Sequence, residues 1–150
     1  MEKESLKELF NQAKDLHNSN DFIKSNEILL DLLDRCKNDE QKEAVLMLIS
    51  GNYYKLENYK TSIFYAKKVL GINKDEELAS LGIYLCYVFL KEYGLALKEI
   101  FRFLKDHEAV IYKDTLEELL LEIEKGNIQD DREVKTIQYL AEKNKVKLEG

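Results

Sequence analysis

The two histidines are the side chains with the most obvious catalytic potential in this sequence. His17 and His107 lie 90 positions apart, and neither stands in an HExxH, GxSxG, phosphate-loop or glycine-rich dinucleotide motif. Each falls near the end of a predicted helix, where an imidazolium interacts favourably with the negative end of the helix dipole. We therefore expect structural histidines, no catalytic residue, and a protein that is not an enzyme.

Acidic residues concentrate between Asp114 and Glu133, which makes this stretch the best candidate for a metal site. Glu118 and Glu122 share one face of a predicted helix. The stretch lacks the alternating DxDxDG spacing that a calcium loop requires. A solvated outer helix face explains it better, so we predict no metal and no cofactor.

Cysteine usage and charge limit the compartment and the partners. Cys36 and Cys86 have no CxxC or His-rich neighbourhood, so we expect reduced, helix-embedded thiols rather than a disulfide. The net charge of -6 argues against nucleic acid as a partner. No apolar run approaches the roughly 20 residues of a membrane span, and the first ten residues mix acids with bases. We expect a cytoplasmic protein without membrane insertion.

An internal repeat organises the chain, which has no proline and six glycines. Three segments share a polar turn, an aromatic residue, a small residue three positions later and an apolar helix, and a fainter fourth begins at Gly126. Their markers are Phe22, Tyr59, Tyr93 and Ile128, at spacings of 37, 34 and 35 residues. A period near 34 indicates stacked helical hairpins.

Apolar residues at three-to-four spacing place a second helix in each unit, and no segment shows strand-like alternation. Asn-, Asp- and Gly-containing breaks supply caps between the helices. The predicted helices are 3–18, 21–37, 40–56, 59–70, 76–91, 93–106, 111–125 and 131–145. We therefore predict an all-α superhelix of antiparallel helical hairpins with about eight helices.

Over residues 6–145 the sequence resembles the tetratricopeptide repeat family. The resemblance is strongest in the second unit, in the stretch LMLISGNYYKLENYKTSIFYAKKVLGINKD. The matching positions are Ser50, Tyr53, Tyr59, Ser62, Ala66 and Val69; Leu9, Ala13, Leu16, Phe22, Ser25, Leu29 and Leu32; and Tyr87, Tyr93, Ala96, Ile100 and Phe103. The resemblance implies one domain over 1–150, with repeats at about 6–39, 43–76 and 77–110 and a capping hairpin at 111–145.

Three features depart from the family pattern. No unit has the usual Trp or closing Pro. Tyr84 falls where the third unit should have a small residue, so either Gly82 provides the close helix approach or the register slips by two. The last unit retains little of the signature, as expected of a capping pair with a polar outer face.

In this family the inner helices line a concave groove that holds a partner peptide or helix, and the resemblance implies such a groove here. The predicted groove residues are Lys7, Phe10, Lys14, Met47, Tyr54, Lys55, Leu78, Leu81, Leu85, Val88 and Phe89, with His17 and Gly51 beside them. The groove changes from basic and mixed to apolar along the chain. Two alternatives stay open: the apolar part is exposed for binding, or the last hairpin folds over it.

The two-carboxylate clamp that some family members use is not expected. Its positions read Phe10, Lys14, Leu48, Leu78 and Gly82 here, and only one is a cation. The leading hypothesis is a non-catalytic adaptor or scaffold that binds a protein or peptide partner through apolar anchors. The alternative is a chaperone-like holder of apolar client segments, similar to secretion chaperones of this repeat type. A homodimer through the apolar region is a further possibility.

Overall fold

The computed structural model describes residues 5–149, which form eight α-helices and no strand. The helices are α1 (Leu6–Asn18), α2 (Phe22–Arg35), α3 (Asp39–Lys55), α4 (Tyr59–Ile72), α5 (Glu77–Phe89), α6 (Tyr93–Asp106), α7 (Tyr112–Glu124) and α8 (Asp131–Lys143). The predicted start of the first helix at residue 3 lies outside the described residues. Every other predicted boundary falls within two residues of an observed one, so the all-α prediction is confirmed.

Each hairpin turns through one residue in the left-handed backbone region. Asn20, Glu57, Lys91 and Gly126 have φ values of 64°, 61°, 62° and 80°. At every turn this residue's N–H bonds to a carbonyl three positions back, and the next N–H bonds to one five positions back. This is the Schellman arrangement, which satisfies carbonyls at the end of a helix. The four turn residues have the same spacing as the sequence markers. The fourth hairpin therefore uses the same turn as the others, although its repeat signature is weak.

Consecutive helices pack against each other, so the chain forms an α-α superhelix of antiparallel hairpins. The pairs are α1 with α2, α3 with α4, α5 with α6, and α7 with α8. Helices α2 and α4 join each of the first two hairpins to the next, and α1, α3 and α5 form an inner row. Through these three inner helices, three different hairpins face the same space.

Small residues twelve positions apart let the paired helices approach closely. Ser50 Oγ donates to the Ser62 carbonyl at 2.9 Å, and Ser62 Oγ donates to the Ser50 carbonyl at 2.8 Å. Ser25 Oγ likewise donates to the Ala13 carbonyl at 2.7 Å. Each buried hydroxyl donates a hydrogen bond to the backbone of the facing helix, so it has a partner while the two helices stay close together.

The third hairpin keeps the same register with a large residue at this position. Tyr84 stands twelve residues before Ala96, and both belong to one buried cluster. The Tyr84 ring packs edge-on against Tyr112 of α7, with centroids 6.2 Å apart. The hairpin does not slip by two residues, because the following hairpin provides space for the ring.

The C-terminal hairpin packs on both helices of the third hairpin, α5 and α6. Its apolar side chains share a core cluster with α6, and α8 reaches back to contact α6. The buried residues of this cluster in α6, α7 and α8 are Ala96, Leu97, Ile100, Phe103, Leu104, Tyr112, Leu116, Leu119, Ile137 and Leu140. The last hairpin therefore extends the superhelix and buries the end of the third hairpin.

Candidate functional site

A concave cleft of about 480 Å³ runs across the inner helices α1, α3 and α5. Its walls are mostly apolar, and its two basic side chains come from α1. The lining residues are Phe10, Lys14, His17, Ala44, Met47, Leu48, Ser50, Gly51, Tyr54, Ser62, Leu78, Ala79, Leu81, Gly82 and Leu85. We call this set the concave cleft. A mostly apolar concavity with a few polar groups is typical of a binding site.

The structure brings seven of the eleven predicted groove residues into the concave cleft: Phe10, Lys14, Met47, Tyr54, Leu78, Leu81 and Leu85. The other four lie nearby but outside its lining. Lys7 borders a small hollow between α1 and α3, Val88 lines a different cleft beside α6, and Lys55 is exposed near the end of α3. Phe89 is 54% exposed.

The C-terminal hairpin leaves the concave cleft open, since no residue of α7 or α8 lines it. Leu81 and Leu85 are half-buried because they also pack against the cluster that the last two hairpins share. Leu78, at the start of α5, remains 50% exposed. The apolar row of α5 thus divides between core packing and the cleft.

Three aromatic rings continue the apolar surface at one end of the cleft. Tyr59 and Phe89 stack with centroids 5.0 Å apart and an interplanar angle of 4°. Tyr54 meets both rings edge-on at 5.9 Å. Phe89 therefore contributes to an aromatic cluster beside the cleft, and Tyr54 belongs to both.

A buried hydrogen-bond network holds His17 at the polar end of the cleft. Asn52 is 0% exposed, and its Oδ1 atom lies 2.6 Å from Nδ1 of His17. Asn52 Nδ2 donates to Ser25 Oγ and to Asn26 Oδ1, both at 2.9 Å. This network was not predicted from the sequence, although a polar Asn between apolar positions of α3 was a usable signal.

The network determines which ring nitrogen of neutral His17 carries the hydrogen. Ser25 Oγ donates its only proton to the Ala13 carbonyl, so it can only accept from Asn52. Asn52 must then turn its amide nitrogen toward Ser25 and its oxygen toward His17. Nδ1 of His17 therefore carries the hydrogen, and the neutral ring keeps Nε2 as an acceptor.

The charges around the cleft have one sign. Lys14 lines it, and no Asp or Glu is among its lining residues, although the whole chain carries a net charge of -6. Lys14 Nζ lies over the Phe10 ring, 5.9 Å from its centroid. A cation–π contact of this kind keeps the ammonium group beside the apolar wall.

The second histidine lies at a helix end and does not line the concave cleft. His107 stacks on Phe103 and pairs through Nδ1 with the Phe103 carbonyl at 2.9 Å. Its Nε2 lies 2.8 Å from an Asp75 carboxylate oxygen. The Phe103 carbonyl and, to a smaller extent, Asp75 raise the pKa of His107. These contacts tie the end of α6 to the loop before α5.

A buried polar group lies between α5, α6 and α7. Ser80 Oγ donates to Glu99 at 2.7 Å, so the Tyr112 hydroxyl at 2.8 Å must donate to Ser80. Arg102 donates to both oxygens of Glu99. Burial raises the pKa of Tyr112 well above its ordinary value, so its hydroxyl stays protonated as a donor. This chain of bonds connects the third hairpin to the fourth.

The acidic stretch is held by local contacts. Glu122 accepts from Asn127 Nδ2 at 2.8 Å, and Lys125 lies 3.6 Å from its other oxygen. Within residues 5–149 no three His, Cys, Asp or Glu side chains gather in a metal-binding arrangement. Of the two thiols, Cys86 is buried in α5 and Cys36 caps α2, in different core clusters.

Comparison with models of known protein families finds no match, and no curated protein sequence is significantly similar to this chain. None of the helices within residues 5–149 combines the length and the apolar character needed to cross a bilayer.

Proposed function

We propose that this chain is a cytoplasmic, non-catalytic interaction module of the tetratricopeptide type, which binds a peptide or helix of a partner protein in the concave cleft. The observation that carries the proposal is the cleft itself. Three hairpins contribute their inner helices to one open, mostly apolar concavity, and the last hairpin does not line it.

The distribution of exposed side chains supports this use. Leu78 is 50% exposed at one end of the cleft, and Phe89 is 54% exposed in the aromatic cluster beside it. Large apolar side chains that stay exposed at the edge of a concavity are typical anchor points for a partner. Tyr54 links the two areas, so a segment lying along the inner helices would contact both.

Both histidines have bonded structural neighbours, which supports the non-catalytic part of the proposal. His17 is bonded to an amide of the core, and His107 is bonded to a main-chain carbonyl and an exposed carboxylate. A histidine that acts as a general base needs a neighbour that orients its ring and a reacting group within its reach in one pocket. The concave cleft has neither a carboxylate nor a cysteine in its lining.

The second candidate function is a chaperone-like holder of apolar client segments. The exposed Leu78 and the stacked Tyr59 and Phe89 rings favour it, since a holder needs accessible apolar surface with few fixed polar contacts. The two functions differ in selectivity. An adaptor selects one sequence, whereas a holder binds many apolar segments with similar affinity.

Selection from a displayed library of random peptides, with the full chain as bait, tests the proposal. We expect peptides that share an apolar motif and that lose most of their affinity for Leu78→Glu. Ile23→Glu is the matched control, because Ile23 is 62% exposed on α2 and does not line the cleft. Leu81 and Leu85 are unsuitable test sites, because changing them also disturbs the core.

The outcomes are distinct. Convergent peptides that bind wild type and Ile23→Glu equally, and Leu78→Glu weakly, support the adaptor. Diverse apolar peptides with the same dependence on Leu78 support the holder instead. Selected peptides that bind Leu78→Glu as well as wild type would exclude the concave cleft as the site.

A further inference from the structure

A second cleft, of about 580 Å³, opens between the third hairpin and the C-terminal hairpin. It lies away from the concave cleft, and the two share no lining residue. We call the following lining residues the second cleft: Tyr84, Val88, Tyr93, Gly94, Ala96, Leu97, Leu119, Glu122, Asn127, Ile128, Gln129 and Glu133.

The Tyr93 ring at this cleft has no stacked aromatic neighbour within residues 5–149, whereas the equivalent ring of the preceding hairpin, Tyr59, has one. Tyr59 is stacked by Phe89 of the following hairpin, but Tyr93 is 59% exposed and takes part in no ring contact within residues 5–149. Counted from the left-handed turn residue, Glu124 occupies in α7 the position that Phe89 occupies in α5. The substitution of an aromatic by an acidic residue leaves the Tyr93 face open.

One largely buried residue at this cleft, Tyr84, has a hydroxyl without a hydrogen-bond partner within residues 5–149. Tyr84 is 8% exposed and lines the cleft, yet its hydroxyl makes no hydrogen bond to any residue from 5 to 149. The only fully inaccessible side-chain polar atom without a partner in that range is Asn26 Nδ2. The Tyr84 oxygen is therefore accessible, and a ligand in the cleft can reach it.

The charge of the second cleft is opposite to that of the concave cleft. Glu122 and Glu133 line it, and no Lys, Arg or His does. Glu122 is partly balanced by Lys125, whereas Glu133 takes part in none of the ion pairs within residues 5–149. Burial, together with Glu118 and Glu122, raises the pKa of Tyr84 to about 12. The carboxylates thus make the cleft electrostatically negative around the neutral side chain of Tyr84.

We propose that the second cleft binds an arginine side chain of a partner protein, with its guanidinium group on the Tyr93 ring and against Glu133. Arginine fits better than lysine, because a planar guanidinium both stacks on an aromatic face and donates in several directions at once. The Tyr84 oxygen can accept one of these hydrogen bonds. Val88, Leu97 and Ile128 provide apolar contact for residues next to the arginine.

The test uses the ¹⁵N-labelled full chain and two synthetic peptides, acetyl-Ala-Leu-Arg-Leu-Ala-amide and its counterpart with citrulline in place of arginine. Citrulline keeps the shape and removes the charge. We expect the arginine peptide to shift the amide signals of residues 93–97 and 127–129, and the citrulline peptide to shift them far less. Binding should weaken as salt increases, because the attraction is electrostatic.

Glu133→Gln should weaken binding of the arginine peptide by about two- to fivefold, the range expected for a partly exposed ion pair. Glu117→Gln is the matched control, because Glu117 is exposed on α7 and lines no part of the cleft. Equal shifts with the citrulline peptide, equal affinity for the Glu133→Gln variant, or shifts confined to the concave cleft would each overturn the proposal. These readouts do not depend on whether the concave cleft binds a partner.

Discussion

The carboxylate of Glu77 accepts a hydrogen bond from the backbone N–H of Tyr112 at 2.9 Å, joining the first turn of α5 to the first turn of α7. It also accepts from the two preceding backbone N–H groups, at 2.9 and 3.0 Å. Ile111, at the cap position of α7, has no side chain able to cap that helix. Glu77 therefore caps α7 from 35 residues away, and it positions the fourth hairpin on the third.

Replacement of Glu77 should expose how much this long-range cap stabilises the fold. Glu77→Ala leaves three N–H groups at the start of α7, those of Val110, Ile111 and Tyr112, without their acceptor. We therefore expect a loss of about 1–2 kcal/mol in the free energy of unfolding. Glu77→Gln should lose less, because its amide oxygen still accepts. Urea unfolding followed by circular dichroism measures both changes.

The control for this prediction is Glu117→Ala, an exposed change on α7 that removes no cap. It should alter the free energy of unfolding by less than about 0.5 kcal/mol. If Glu77→Ala is no more destabilising than Glu117→Ala, then the cap contributes nothing measurable.

The buried Asn52 network makes a second prediction about stability. Asn52→Ala removes the partner of His17 and leaves Ser25 and Asn26 without their donor in the core. We expect a loss of about 1–3 kcal/mol, the cost of unsatisfied buried polar groups. The measurement is urea unfolding, with Asn11→Ala on the exposed face of α1 as the control. Similar stabilities of the two variants would show that water replaces the network.

The same network predicts the tautomer of His17. In the neutral ring the hydrogen should reside on Nδ1, because the acceptor that faces it is the Asn52 side-chain oxygen. Long-range ¹H–¹⁵N correlation spectra of the imidazole distinguish the two ring nitrogens. Asn52→Ala should abolish this preference. A predominant Nε2–H form in the wild-type protein would contradict the assigned orientation of Asn52.

His107 predicts how stability depends on pH. Its pKa is raised, first by the Phe103 carbonyl and then by Asp75, and only the protonated ring can donate to both. Because the pKa is higher in the folded state, the contribution of His107 to the free energy of unfolding is complete at pH values below its pKa in the unfolded chain. This contribution is lost as the pH rises through the pKa of the folded state. The free-energy difference between wild type and His107→Gln should therefore shrink from about pH 5 to pH 8.

Urea unfolding at several pH values measures this difference, and Asp75→Asn provides a second check. That variant removes the carboxylate but keeps the Phe103 carbonyl, so the pKa of His107 should fall only part of the way toward its ordinary value. The ¹H signal of the His107 ring reports the titration directly. A pKa below that of an unperturbed histidine would refute the account.

The helices and their order followed from local information alone. Polar breaks at the turns and apolar residues at three-to-four spacing predicted eight helices with boundaries within two residues, apart from the start outside the described part. Ser50 and Ser62 are one example, because their small side chains at twelve-residue spacing already predict a close helix pair. Local sequence determines such features because capping, helix propensity and helix–helix approach depend on residues close together in the chain.

The tertiary structure alone decided the arrangement of groups that come from distant parts of the chain. Whether Leu78 stays exposed depends on where the last hairpin packs, and the length of the repeat does not specify this. Asn52 reaches His17 across 35 positions, and Glu77 reaches Tyr112 across the same distance. Tyr84 keeps its register because Tyr112 provides an aromatic neighbour. Local sequence patterns specify which helices form and how they pair. Their superhelical stacking decided which polar groups meet and which apolar faces remain open, because burial depends on neighbours that only the folded chain brings together.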